Sequence, residues 1–238
     1  MSTVFTFKKF KVEQQGASFK IGTDALVLGS FICSSNAKTA LDIGAGTGVI
    51  SLMVAQTHPT IFIDAIEVDQ QNCALAHHNF TESNFSDRLS IVESDFLNYS
   101  FDKKFDLIFS NPPYFIDSLE NNDRRQANSR HLSRNDLKKF VEKIVECISN
   151  KGLVYLIFPA INFQMWLDNF LENQLFLVER IDVLGKPNQI IRTIAVFSTE
   201  NALTKLHKLT IRNLDGTYTD EYIQLTKDFH SVNLSPKE

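Results

Sequence analysis

The stretch Asp106-Leu107-Ile108-Phe109-Ser110-Asn111-Pro112-Pro113-Tyr114-Phe115 is an apolar run that stops in Asn-Pro-Pro-Tyr. Two prolines fix φ and remove amide donors, so the turn holds its carbonyl oxygens in a preset direction. The side-chain oxygen of Asn111 and the carbonyl of Pro112 then form a pair of preorganised acceptors, and Tyr114 offers a ring on which a flat group can stack. Such a set suits a poorly nucleophilic nitrogen whose lone pair is delocalised into a ring or carbonyl. Acceptors on its hydrogens favour the pyramidal form and stabilise the positive charge that develops as the nitrogen attacks. An isolated Pro-Pro is only a rigid turn. Behind an apolar strand and downstream of a glycine-rich segment, it is read here as a catalytic turn.

That glycine-rich segment is Leu41-Asp42-Ile43-Gly44-Ala45-Gly46-Thr47-Gly48, with glycines at alternate positions where backbone can approach a ligand closely. The dinucleotide fingerprint requires glycine at position 49, which is Val49, so the G-x-G-x-G spacing behind the acid Asp42 counts against a nicotinamide cofactor. Glu67 ends the next apolar run, about twenty residues on, where a carboxylate can take the hydroxyls of a ribose. Asp95 follows the third run and can accept from an adenine amine while Phe96 packs on the ring. Taken singly, Glu67 reads as a solvated strand end and Asp95 as a helix N-cap. Together they fall at the carboxyl ends of three successive strands, the crevice in which open α/β sheets bind ligands.

The elements that must position these groups alternate short β-branched runs with amphipathic stretches, the signature of βαβ units. Strands are expected at 39–43, 61–66, 89–92, 105–109, 153–158, 176–183 and 191–197, and helices at 49–56, 70–84, 135–149 and 163–173. The fold class is therefore α/β, a doubly wound, mostly parallel seven-stranded sheet in one domain. Residues 1–38 form a short N-terminal cap on the sheet edge, 39–200 the Rossmann-like core and 201–238 a C-terminal extension. Residues 115–134 have little periodicity, and so long a loop inside a compact domain is usually functional.

The chain has 238 residues, 43% of them hydrophobic, enough for one sizeable core. Its net charge of -4 excludes a global basic footprint, so any nucleic-acid contact must be local. Arg124, Arg125, Arg130 and His131 supply one such basic stretch, to be read either as a solvated loop or as a phosphate contact. Lys8, Lys9, Lys11 and Lys20 can extend it. Cys33, Cys73 and Cys147 are isolated and expected to be reduced and buried, and His77, His78 and His131 lack partners at metal-ligand spacing, so no metal is expected. Met1 to Phe10 has no apolar signal core and the run Leu153 to Phe158 is too short to span a bilayer; a soluble, cytoplasmic chain without membrane association is expected.

From Phe19 to Phe197, and most specifically at 42–48, the chain resembles the class I S-adenosylmethionine-dependent methyltransferases. Asn111 to Tyr114 resembles the motif shared by N6-adenine, N4-cytosine and protein glutamine N5-methyltransferases, whose acceptors are all planar conjugated nitrogens. More narrowly, the chain is similar to the bacterial tRNA1(Val) adenine-37 N6-methyltransferase family. That similarity rests also on Phe19-Lys20-Ile21-Gly22-Thr23-Asp24-Ala25-Leu26-Val27-Leu28-Gly29, on Ala127-Asn128-Ser129-Arg130-His131, on Leu209-Thr210-Ile211-Arg212, on Tyr218-Thr219-Asp220-Glu221-Tyr222 and on Leu225-Thr226-Lys227-Asp228-Phe229. The resemblance implies S-adenosyl-L-methionine as cofactor, Asp42, Gly44, Gly46, Gly48, Glu67, Asp95 and Phe96 around it, and Lys20, Thr23 and Asp24 closing over its methionine end. It implies tRNA as partner, and a monomer is expected. Two rivals differ from it. A glutamine methyltransferase acting on release factors resembles chains with a helical recognition domain before the glycine motif, where only 41 residues precede Asp42 here. A non-catalytic RNA-binding module has no need of intact cofactor and Asn-Pro-Pro-Tyr motifs.

Overall fold

The computed structural model describes residues 4–18, 20–32, 36–112, 134–232 and 234. The chain opens with a hairpin of β1 (Val4–Thr6) and β2 (Lys11–Glu13), followed by helix α1 (Thr23–Phe31). The core then alternates β3 (Thr39–Ile43), α2 (Val49–Thr57), β4 (Phe62–Glu67), α3 (Gln70–Thr81), β5 (Leu89–Glu93) and β6 (Phe105–Ser110). After α4 (Arg134–Cys147) come β7 (Ile148–Pro159), α5 (Phe163–Glu172), the hairpin β8 (Phe176–Lys186) and β9 (Gln189–Ser198), then β10 (Lys205–Thr210) and α6 (Asp220–Thr226).

The main sheet runs in the order β10-β8-β9-β7-β6-β3-β4-β5, and β9 alone is antiparallel to its neighbours. The chain starts in the middle at β3, walks outward to β5, then returns through β6 to the opposite side. The reversal between β3 and β6 places a crevice at their carboxyl ends. The doubly wound architecture is the expected one, with one strand more than the seven expected. The additional strand, β10, extends the sheet beyond β8; it is mostly exposed and its sequence carries little apolar alternation.

Strand residues alternate between two cores, as the period of two requires. Ala40, Leu107 and Phe109 face a layer built by α1, α2, α3 and α6, whereas Leu41, Ile43 and Ile108 face α4 and α5. The first segment lies on a face rather than an edge: Phe7, Phe10, Val12 and Ala25 to Leu28 belong to the first of these cores. The C-terminal segment closes over it, with Phe7 bridged to His230 and the Lys8 amide donating to the Phe229 carbonyl at 3.0 Å. Cys73 and Cys147 are buried thiols, and burial pushes Cys147 up to about 11; Cys33 lies outside the described residues. Among the described residues no helix is long and apolar enough to cross a membrane.

One buried amide ties the first segment to the glycine loop. Asn79, on α3, accepts the Glu13 amide at 2.8 Å and donates to the carbonyls of Glu13 (3.0 Å) and Thr47 (2.9 Å). Removing a buried partner of this kind leaves backbone groups unsatisfied at a cost of about 1–3 kcal/mol. Asn79→Ala is therefore expected to lower the unfolding free energy by that amount and to expose residues 4–18 to earlier proteolytic cleavage. An unchanged denaturation midpoint would show that the amide is no strut.

Candidate active site

The carboxyl ends of β3, β4 and β5 are stitched into one rim by backbone hydrogen bonds. The amides of Gly44 and Ala45 donate to the Ile66 carbonyl at 2.9 and 3.2 Å, and Ser94 donates to the Glu67 carbonyl at 2.9 Å. The turn between β3 and α2 is built on left-handed residues, with φ of 71° at Gly44, 57° at Gly46 and 77° at Gly48. At Gly48 a β-carbon would also lie 2.4 Å from the Phe80 ring, so glycine is demanded twice there. At Gly44 and Gly46 an added β-carbon meets nothing within 4 Å, so the outer side of the loop is open to a ligand.

Glu67 closes the loop from the neighbouring strand. Its Oε2 accepts the Gly46 amide at 2.8 Å, and its Oε1 accepts the amides of Val68 and Asp69, both at 2.9 Å. A carboxylate has about four acceptor sites; three are used, and the one left is on Oε2. Glu67 therefore organises the loop before it holds anything else. The expectation that it takes both ribose hydroxyls narrows to one.

Asp42 lies beneath the loop at 1% exposure and accepts the Ser51 hydroxyl from α2 at 2.6 Å. Burial raises its pKa from 3.8 to about 7; the Ser51 hydrogen bond opposes the shift, and the nearby Glu67 charge adds to it. Asp95 stands at the far end of the rim, where its carboxylate caps its own turn through the Leu97 amide (3.1 Å) and the Asn98 side chain (3.2 Å). Phe96 is buried among Phe101 and Phe140, part of the core under the rim.

The end of β6 is tied to the end of β3 by a residue that the motif reading passed over. Ser110, the last residue of β6, donates its hydroxyl to the Ile43 carbonyl at 2.6 Å, fully buried. Asn111, half-buried, and Pro112, buried, thus follow directly beside the start of the glycine turn. From the other side, Asp24 reaches the rim on α1, but its carboxylate is held by Arg192 of β9 at 2.8 Å. Lys20 and Thr23 are exposed next to it. The structure brings together Asp42, the three glycines, Glu67 and Asn111. Tyr114, Arg124, Arg125, Arg130 and His131 lie outside the described residues.

Reasoning from motifs missed Ser51, Asn79, Ser110 and Arg192. Ser51 carried a faint signal, a lone hydroxyl inside the apolar run Val49 to Ala55. The others act across long sequence separations and had none.

The arrangement fits S-adenosylmethionine: an open glycine turn for its amino-acid end and an acidic residue at the end of the second core strand. The chain superposes on a predicted O-methyltransferase from Agrobacterium tumefaciens with a TM-score of 0.69 at 16% identity, covering 87% of this chain and 96% of that one. A putative class I S-adenosylmethionine-dependent methyltransferase from Listeria monocytogenes gives 0.58 at 15% identity, covering 81% and 68%. The fold is that of the class I S-adenosylmethionine-dependent methyltransferases. Residues 16–151 match the methyltransferase small domain model, and the chain belongs to that family. It is 36% identical over 228 residues to the tRNA1(Val) (adenine(37)-N6)-methyltransferase of a Flavobacteriaceae bacterium (strain 3519-10), covering 95% of this chain and 97% of that protein. To the protein of the same name from Pedobacter heparinus it is 34% identical, covering 96% and 98%.

The buried Asp42 generates a pH prediction. A carboxyl whose folded pKa lies above its unfolded value binds its proton more tightly in the native state. Its contribution to stability is complete below the unfolded value of 3.8 and is lost as pH rises through the folded value of about 7. Asp42→Asn, which keeps an acceptor for Ser51, should remove this dependence. Its stability relative to wild type should grow by a few kcal/mol between about pH 4 and about pH 8 in chemical denaturation. Parallel profiles for the two proteins would refute the assignment.

Proposed function

We propose that this chain transfers a methyl group from S-adenosyl-L-methionine to the exocyclic N6 of an adenosine in tRNA, adenosine 37 beside the anticodon of a valine tRNA. The observation that carries the reading is the Ser110–Ile43 hydrogen bond, which fixes Asn111 and Pro112 beside the glycine turn. The names of the relatives, aligned over nearly their whole length, support the acceptor.

When bound, the cofactor supplies an electrophilic methyl group on a sulfonium. Gly44, Gly46 and Gly48 would line its amino-acid end, Glu67 would accept one ribose hydroxyl through Oε2, and Asp95 would lie at the adenine end of the rim. The Asn111 amide oxygen and the Pro112 carbonyl accept the hydrogens of the target amine, hold its lone pair out of the ring plane and stabilise the developing positive charge. Tyr114 stacks on a base taken out of its stack. No side chain becomes a covalent nucleophile. Arg124, Arg125, Arg130 and His131 are assigned to phosphates that flank the inserted base.

The test offers labelled cofactor with unmodified tRNA, free adenosine or a release-factor glutamine peptide. Label should enter the tRNA as N6-methyladenosine, and in single turnover Asn111→Ala should slow transfer by about 10²–10³-fold, the scale for losing one preorganised transition-state partner. Methylation of the peptide in place of the tRNA would overturn the reading, and a near-wild-type rate would remove Asn111 from the mechanism.

A further inference from the structure

The sheet does not end level at the active site. Strand β6 stops at Ser110, which pairs with Leu156 of β7; Leu156 pairs with Ala195 of β9, and Ala195 with Arg180 of β8. From that level β8 continues from Arg180 to Lys186, and β9 returns from Gln189 to Ala195, six residue steps on each strand. At about 3.3 Å per residue the β8–β9 ribbon rises roughly 20 Å beyond the level of Ser110, and two strand spacings set β9 about 10 Å to one side and three set β8 about 14 Å.

The ribbon is braced. The amides of Ile211 and Arg212 donate to the carbonyls of Leu184 (2.8 Å) and Gly185 (3.2 Å), and Arg192 is tied to Asp24. A register shift between Val183 and Leu184 leaves Ile191 unpaired between Arg192 and Ile190; such bulges re-aim side chains at the rims of sites. Next to it the Asn213–Thr217 turn is closed by the Asn213 amide on the Thr217 carbonyl (2.8 Å) and by the Asp215 carboxylate on the Thr217 amide (2.9 Å). These rigid tips carry Lys186, Asn188 and Gln189, all exposed, and bare apolar side chains: Ile190 at 44% exposure and Leu214 at 79%. Ile161, at 91%, stands just past the end of β7 on the same edge.

The folded core needs none of these residues. Their chemistry fits an RNA loop, in which a basic and amide-bearing tip meets phosphates and apolar wedges keep splayed bases apart. We infer that the β8–β9 ribbon and the Asn213–Thr217 turn form the ledge on which the RNA loop seats, with Lys186 on a phosphate and Ile190 and Leu214 against bases flanking the target. This inference rests on the proposed tRNA substrate, and it adds a contact surface separate from the basic stretch Arg124 to Arg130.

The experiment measures binding of an anticodon stem-loop RNA by fluorescence anisotropy over a salt series, together with methylation of the same RNA. Lys186→Ala should reduce the slope of log affinity against log salt by about one, as for one lost phosphate contact. The double variant Ile190→Ser, Leu214→Ser should weaken binding about tenfold with the slope unchanged, the scale expected when two apolar contacts are lost. Titrated S-adenosylmethionine should bind both variants as it binds wild type. If wild type methylates the RNA and neither variant alters affinity or slope, the ledge is wrong while the substrate stands. If wild type neither binds nor methylates it, the substrate assignment fails and takes the ledge with it.

Discussion

The carboxylate of Glu67 holds the active-site rim together. By accepting the Gly46 amide across the gap between β4 and the β3–α2 turn, it fixes a loop of three left-handed glycines. The same carboxylate takes two amides of its own turn, which sets the start of α3 at Asp69. From α3, Asn79 reaches back to the Thr47 carbonyl and out to the first hairpin, so loop, helix and N-terminal segment share one chain of hydrogen bonds. Losing any link frees a glycine turn whose outer side is open.

The same economy explains why the site sits where it does. Strands β3 and β6 stay paired up to Ile43 and Ser110, their last residues, and the Ser110 hydroxyl ties the two ends together one residue before Asn111. Asn111 and the start of the glycine turn are thereby neighbours. Burial raises the pKa of Asp42 beneath them and the Ser51 hydrogen bond offsets only part of that shift; a buried acid of this kind is typical of functional sites.

Much of this was legible in the chain. Alternating apolar runs gave the seven core strands within a few residues, because buried parallel strands must be β-branched and continuous. Glycines 44, 46 and 48, Glu67 and Asn111 could be placed at the carboxyl edge since each ends or follows such a run. The three-residue strands β1 and β2 were too short to show a period, and β10 is exposed on both faces over its first four residues, so none announced itself as a strand. The second role of Glu67 was also invisible. Nothing in its spacing says that three acceptor sites are filled by backbone amides, a fact of tertiary geometry. Asp24 looked like a ligand residue by position, yet it is engaged by Arg192, which is 168 residues away in sequence.

The central claim is that Glu67 both shapes the glycine turn and holds the cofactor, and calorimetric titration of S-adenosylmethionine into wild type and Glu67→Ala tests it most directly. Wild type should bind one equivalent. The variant, shown to be folded by circular dichroism, should bind more weakly by about 1–3 kcal/mol, roughly five- to 150-fold, since it loses a charged acceptor and the brace on Gly46 together. Equal affinity in the two proteins would contradict the account.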